Sequence, residues 1–405
     1  MGILDPVSNE IIFDPIKWSS REIVLQTNVD PIVSGSSKIV RKFQRLQTKP
    51  VKLKFRFNQD IEVSGEGLAL ALSTLCGKSF DSIRFGFEIP ESTKDDIAKW
   101  TESDVRIPGT VSKQNRELGG TVLNFSGGFD SLAAHYLLPP EQELVSLDFG
   151  GRFSREKKFF SNFSPLEVQT NVVKTSLRKH SWSFIGMAAL LSMEKINPQY
   201  CTFGSIIEST GFKRKTAHEK GFTFPPFASA GMQNAPTTQG ISELGTALVI
   251  AEYAPELLEP SLNSLASPGE EKLFRKWALA KTALEQAGRP VPFSEVKKPD
   301  VPHYEFGQRL VIDLTAMMAA SFGNEDVASQ LVRGLSSEII RDANAMNFDF
   351  MFKADKRMYA NYPSELKPAL ENGLERAEID WYTAQDRENV KSFREYWQSK
   401  SQKSG

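Results

Sequence analysis

The chain reads as an α/β protein: a parallel sheet wrapped by helices, with an α+β region before it and a helical region after it. Three observations point there. Apolar residues alternate with period two in the first third, a strand, glycine turn, helix, strand order fills the middle, and helical apolar spacing follows a proline-rich stretch. At roughly 100 to 200 residues per domain, 405 residues divide naturally into regions 1–118, 119–290 and 291–405.

In the first region Val51, Leu53, Phe55 and Phe57 alternate with Lys52, Lys54 and Arg56, which predicts a half-buried strand. An apolar helix is expected from Leu68 to Leu75, and a second strand where Ile83, Phe85 and Phe87 alternate. Pro108, Gly109, Gly119 and Gly120 then interrupt the pattern. The middle region predicts a strand at Thr121 to Phe125, a glycine turn, a helix at Leu132 to Leu138 and a strand at Glu143 to Phe149. A helix over Trp182 to Lys195 and a short strand over Tyr200 to Phe203 follow. After the proline-rich stretch Gly288 to His303, helices are expected over Gln308 to Ser321, Asn324 to Met346 and Glu365 to Ala384, and the final SKSQKSG is a polar tail expected to be disordered.

Composition narrows the function classes. Lys and Arg number 49 against 50 Asp and Glu, a formal charge of -1, so no global field draws in nucleic acid or an anionic membrane. No apolar run approaches the roughly 20 residues of a membrane span. The start, MGILDPVSNE, lacks the pattern of a secretory signal, and Pro6 stands where a myristoylation site wants Ser or Thr. Two distant cysteines, Cys76 and Cys201, exclude a disulfide framework and a four-cysteine zinc site, and predict a cytoplasmic protein. The histidines His135, His180, His218 and His303 show no metal-ligand spacing.

The informative stretch is Val122-Leu123-Asn124-Phe125-Ser126-Gly127-Gly128-Phe129-Asp130-Ser131-Leu132-Ala133-Ala134. An apolar strand entering SGGFDS and then a helix gathers consecutive backbone N–H groups, two hydroxyls and a positive helix end at one point, which makes an anion cradle. Gly127 and Gly128 permit the turn, and Ser126 and Ser131 can donate to phosphate oxygens. Asp130 would hold Mg²⁺ against the phosphates, or else fix the loop by accepting backbone N–H bonds.

This loop resembles that of the PP-loop ATP pyrophosphatases, whose SGGxDS motif grips the pyrophosphate of ATP while a substrate oxygen attacks the α-phosphorus. The resemblance implies a sheet of the adenine nucleotide α-hydrolase-like (HUP) kind, ATP and Mg²⁺ as cofactors, and an adenylated intermediate. It further implies ATP binding by Ser126, Gly127, Gly128, Phe129, Asp130 and Ser131, with Asp130 also catalytic. Within that superfamily, Val145 to Arg152 (VSLDFGGR) resembles the strand-plus-loop of the 7-cyano-7-deazaguanine synthases, which would set Leu147, Phe149 and Gly150 near adenosine. Arg152 would neutralise a phosphate or carboxylate, or else be a solvated member of the run Arg152, Arg155, Lys157, Lys158. Arg178 to Trp182 matches a short polar motif beside ATP, with Lys179 as a charge-stabilising cation and His180 as either a nucleotide contact or a capping residue at a helix start. Gly204 would permit close packing on nucleotide, and Glu208 would read an N–H edge of a bound base or serve as a helix N-terminal carboxylate. Phe224, in a group with Phe222 and Phe227, would stack on a purine or on the protein's own surface.

The resemblance covers about residues 120 to 285 and departs at one place: Leu262 to Gly288 has none of the four zinc-binding cysteines of the synthases, so no zinc is expected. A synthase-like core without zinc and with added terminal regions resembles the QueC-like proteins of bacterial antiviral defence systems of the Qat and type IV CBASS kinds. That implies adenylation of a deazapurine carboxylate such as 7-carboxy-7-deazaguanine, then attack by an amine, either ammonia or the N-terminus of a protein from the same defence operon. The competing readings are an ATP-binding scaffold or sensor without turnover and a PP-loop enzyme that modifies nucleic acid. Gly77-Lys78-Ser79 lacks the first glycine of a Walker A loop, and Gly65-Glu66-Gly67 lacks the third of a dinucleotide fingerprint. No cysteine is placed for a glutamine amidotransferase or for sulfur transfer.

Overall fold

The computed structural model describes residues 9–28, 50–212 and 222–401. His218, the residues read for a leader or lipid site (1–8) and the end of the polar tail (402–405) lie outside the described residues. The chain folds as two compact units: one takes the residues up to Ser126 with Glu141–Thr202 and Thr223–Asn234, and the other takes Gly127–Pro140, Phe203–Phe222 and the residues from Ala235 onward.

The first unit carries a ten-stranded sheet of order β10-β9-β6-β7-β8-β3-β2-β1-β4-β5. The strands are β1 (Glu10–Trp18), β2 (Glu22–Thr27), β3 (Val51–Phe57), β4 (Ser82–Phe85), β5 (Asp104–Arg106), β6 (Thr121–Asn124), β7 (Glu143–Asp148), β8 (Leu166–Thr170), β9 (Tyr200–Phe203) and β10 (Gln233–Asn234). β6, β7 and β8 run parallel, as do β1, β4 and β5; between these blocks β3 pairs antiparallel with both β8 and β2, and β2 with β1. The alternation in β3 places Leu53, Phe55 and Phe57 in the core and leaves Lys52 and Arg56 exposed.

Residues 1–118 and 119–290 therefore share one sheet, and the seam between them is sewn by two asparagines. At one end of the β3–β8 ladder the Lys54 amide donates to Asn171 Oδ1 at 2.9 Å while Asn171 Nδ2 donates to the Lys52 carbonyl at 2.8 Å. At the other end the Glu167 amide donates to Asn58 Oδ1 and Asn58 Nδ2 to the Pro165 carbonyl, each at 2.9 Å. Side-chain amides can extend a ladder in this way because they carry the same donor and acceptor pair as the backbone. Strands β1 and β2 escaped the sequence reading. β1 contains Pro15, which cannot donate to a ladder, and its register shifts between Pro15 and Lys17.

The helix expected from Leu68 to Leu75 spans Gly65–Ser73; Ser64 caps it by accepting from the Gly67 amide, and nearly every residue is buried, as an all-round apolar helix requires. The helix expected over Trp182 to Lys195 is broken into a 3-10 turn, Trp182–Gly186, and two short helices, Met187–Leu191 and Met193–Ile196. The break falls at Ser192, whose hydroxyl bonds back to the Ala188 carbonyl at 2.7 Å.

The second unit is helical. It opens with Phe129–Leu137, which follows the glycine turn, and includes Glu243–Tyr253, Leu258–Ser264, Glu271–Gln286 and Leu310–Ser321. The helix expected over Asn324 to Met346 is two, Glu325–Leu331 and Ser337–Asn344, parted where Val332–Arg333 pairs with Tyr304–Glu305. The polar tail is helical up to Ser401 as the end of Ala384–Ser401, a correction to the expected disorder of its first residues. Trp397 Nε1 donates to the buried Asp313 carboxylate at 2.7 Å and fastens that helix to Leu310–Ser321.

Candidate functional site

Within the helical unit, the glycine loop is held from three sides. Gly127 adopts φ +79°, a conformation costly for any residue with a Cβ, and its carbonyl accepts from the Ser261 hydroxyl at 2.7 Å. Gly128 is the N-cap of Phe129–Leu137 and brings no side chain to the helix end. Gly204 lies directly on the loop: a Cβ there would meet the Asp130 carbonyl carbon at 2.6 Å and overlap the Ser131 amide nitrogen. Its close packing, expected from sequence, is against the loop backbone.

The loop side chains divide in their roles. Ser126 is exposed, whereas Phe129 is buried in the core and offers a ligand only its backbone. Ser131 is buried and donates to the Gly128 carbonyl at 3.1 Å, so its hydroxyl proton serves the turn in this structure. Asp130, with 30% of its side chain exposed, accepts from Lys276 Nζ at 3.0 Å and 3.4 Å.

Lys276 is the residue that sequence reasoning missed. Its side chain is 7% exposed, and its ammonium lies 2.6 Å from Glu243 as well as 3.0 Å from Asp130. Glu243 also accepts from Arg275 at 3.0 Å, and Arg275 pairs with Glu271 at 3.1 Å, so the carboxylates of Asp130, Glu243 and Glu271 alternate with two cations. A signal existed: Lys276 falls among Leu273, Phe274, Trp277 and Ala280, on the apolar side of an amphipathic helix. A buried charge there must be paired.

Burial opposes the Lys276 charge, and the Asp130 and Glu243 carboxylates outweigh it, holding the ammonium above the ordinary lysine range. Burial likewise works against ionised Glu243, but Lys276 and Arg275 keep it below the usual glutamate range. The Asp130 carboxyl goes the other way, raised by burial and by nearby Glu243 against the pull of Lys276. Glu208 is pushed up to about 8 by burial and the Glu243 charge. Its Oε1 accepts from the Glu243 amide at 2.8 Å, and its buried Oε2 has no hydrogen-bond partner among the described residues. Glu208 thus does serve the N-terminus of Glu243–Tyr253, with its second oxygen to spare.

In the sheet unit, the end of β7 is a closed polar knot. Burial alone would raise Asp148, but Lys157 at 2.9 Å, Gln169 at 2.9 Å and the Gly150 amide at 2.8 Å hold its carboxyl below the usual range. Leu147 is half-buried, and the Phe149 ring meets those of Phe153 and Phe184. Gly150 has φ +63°. Arg152 is exposed, its guanidinium 4.8 Å from the Phe153 ring centre, and Lys179 is exposed as well. His180 closes the 3-10 turn Ser176–Lys179 against Phe80, and Ser181 caps the turn that follows, so His180 does not open a helix as expected. Phe224 packs between Trp100 and the exposed Trp182.

Among the described residues no group of three or more His, Cys, Asp or Glu side chains is arranged to hold a metal, and no helix is long and apolar enough to cross a membrane. Fold and site together define an α/β protein with a glycine-rich strand-to-helix loop backed by a buried ion network. Compared with protein-family models, curated proteins and solved structures, the chain matches none.

Proposed function

We propose that the protein is an ATP-dependent, AMP-forming ligase of the PP-loop kind. The observation that carries this reading is the SGGFDS loop at the N-terminus of a nine-residue helix, with Asp130 presented beside a buried lysine. The residues fit the ligands: a helix end and a glycine turn suit phosphate oxygens. One part-exposed carboxylate suits Mg²⁺, which takes the rest of its ligands from phosphate and water. Bound there, the metal would neutralise charge on the phosphates.

In the proposed reaction a carboxylate oxygen of a deazapurine acid attacks the α-phosphorus, the bond to the bridging oxygen breaks, and pyrophosphate leaves. An amine nitrogen then attacks the acyl carbon, AMP leaves, and the nitrogen gives up a proton. The backbone of residues 127–131 holds the departing pyrophosphate, and Lys276 adds positive charge behind it. Glu208 Oε2, with its hydrogen bond to spare, reads the substrate's base edge. A protein N-terminus as the amine, a role in antiviral defence and a cytoplasmic setting belong to the same reading.

The test is pyrophosphate release from ATP and Mg²⁺ with and without 7-carboxy-7-deazaguanine, followed by mass spectrometry of the products. Substrate-dependent pyrophosphate and an adenylated acid are expected. Nucleotide binding without pyrophosphate under any added carboxylate would leave the scaffold reading, which the occupation of Asp130 by Lys276 favours.

A further inference from the structure

Lys276 and the metal proposed for Asp130 compete for the same carboxylate oxygens. Both Asp130 oxygens lie within 3.4 Å of the ammonium, and a cation bound to Asp130 would crowd it. Lys276 cannot be expelled to solvent at low cost, since its side chain is 7% exposed and its other partner, Glu243, is itself pinned by Arg275. It must keep its charge and find a second anion near Asp130. The nearest feature built for an anion is the loop that Asp130 belongs to, with its helix N-terminus and Gly127 turn.

From this we propose that Lys276 is an internal counter-ion exchanged between Asp130 and phosphate: it occupies the metal-binding carboxylate of the empty site and turns to the nucleotide's phosphates when metal and nucleotide arrive together. The inference rests on the ligase or nucleotide-binding reading of the loop and adds an order to it. Free metal is refused because it must displace a paired ammonium that has nowhere to go. Metal with nucleotide is accepted because the phosphates take that ammonium. The device would keep Asp130 unmetallated until ATP is present. Lys276 was assigned no role from sequence, and it acts here by direct contact with the phosphates.

The discriminating measurement is binding to the full chain: Mn²⁺ alone, followed by electron paramagnetic resonance, and Mg²⁺ with α,β-methylene-ATP, followed by calorimetry. In Lys276→Met, Mn²⁺ alone should bind about tenfold tighter or more, and the magnesium–nucleotide analogue about tenfold weaker or more, as the coupling of close charge pairs allows. Opposite shifts are the signature, because loss of packing alone would weaken both. Lys276→Met leaves Asp130 without its cation and Glu243 with Arg275 alone; Lys276→Met/Glu243→Gln keeps the local net charge and should show the same opposite shifts if the single variant does not fold. Unchanged affinities, or shifts of the same sign, overturn the exchange. If Asp130→Asn binds the analogue as tightly as the parent, the loop is not a metal–nucleotide site and the underlying reading fails with it.

Discussion

The Asp148 cluster of the sheet unit and the Lys276 network of the helical unit hold their acids differently. In the sheet unit Asp148 is closed off by Lys157, Gln169 and the Gly150 amide, and Glu66 by the Thr93 hydroxyl at 3.0 Å and Lys113 at 3.1 Å. In the helical unit Glu208 keeps an unpartnered buried oxygen, Asp130 is part exposed, and both lie in one network with Glu243 and Lys276. Acids held by such donors support structure, because the hydrogen bonds they accept offset the cost of their burial. Acids left with spare capacity cost desolvation without return, and perturbed carboxyls of this kind are enriched at functional sites.

The largest expected effect breaks the helical unit's side of the contrast. Asp130→Ala should lower pyrophosphate release by about 10³-fold while leaving the circular dichroism spectrum intact, a loss typical of removing one charge-stabilising group. Full activity would reduce the network to architecture. On the sheet side, Phe55→Ala should destabilise by about 3–5 kcal/mol in denaturant titrations, because Phe55 is wholly buried in β3.

Gly204→Ala should cost about 1–3 kcal/mol through overpacking on the Asp130–Ser131 backbone, and should weaken nucleotide binding as well. A pure stability loss would separate the loop from the ligand.

Glu208 offers a pH test. Its carboxyl rises from 4.5 to about 8 on folding, so the stability it contributes is present below pH 4.5 and is lost as pH climbs through 8. Glu208→Gln should remove that loss, making the variant gain on the parent between pH 6 and 9 by roughly a hundredfold in the folding equilibrium. The smallest effect is Trp397→Phe, which removes one bond to Asp313 and should cost about 1–2 kcal/mol in thermal unfolding.

Much of the sheet was legible because it is written in period two: β3 falls at Val51–Phe57 as its alternation predicts, and β6, β7 and β9 follow their apolar runs. β1 was obscured by Pro15, and the broken helices by local hydrogen bonds and a short strand pair that no periodicity records. The loop itself was legible, since glycines and a strand-to-helix change are local signals. Its charged backing was not.

The sequence alone determined the elements whose cause lies within a dozen residues: the alternating strands, the SGGFDS turn and the helix it opens. Only the tertiary structure decided that the first and middle regions share one sheet, joined through Asn58 and Asn171, and that Lys276 lies on Asp130 across 146 positions of the chain. The physical reason is range. Backbone preference and hydrophobic period act between neighbours, whereas an ion pair or a sheet seam depends on which distant segments packing brings within about 3 Å.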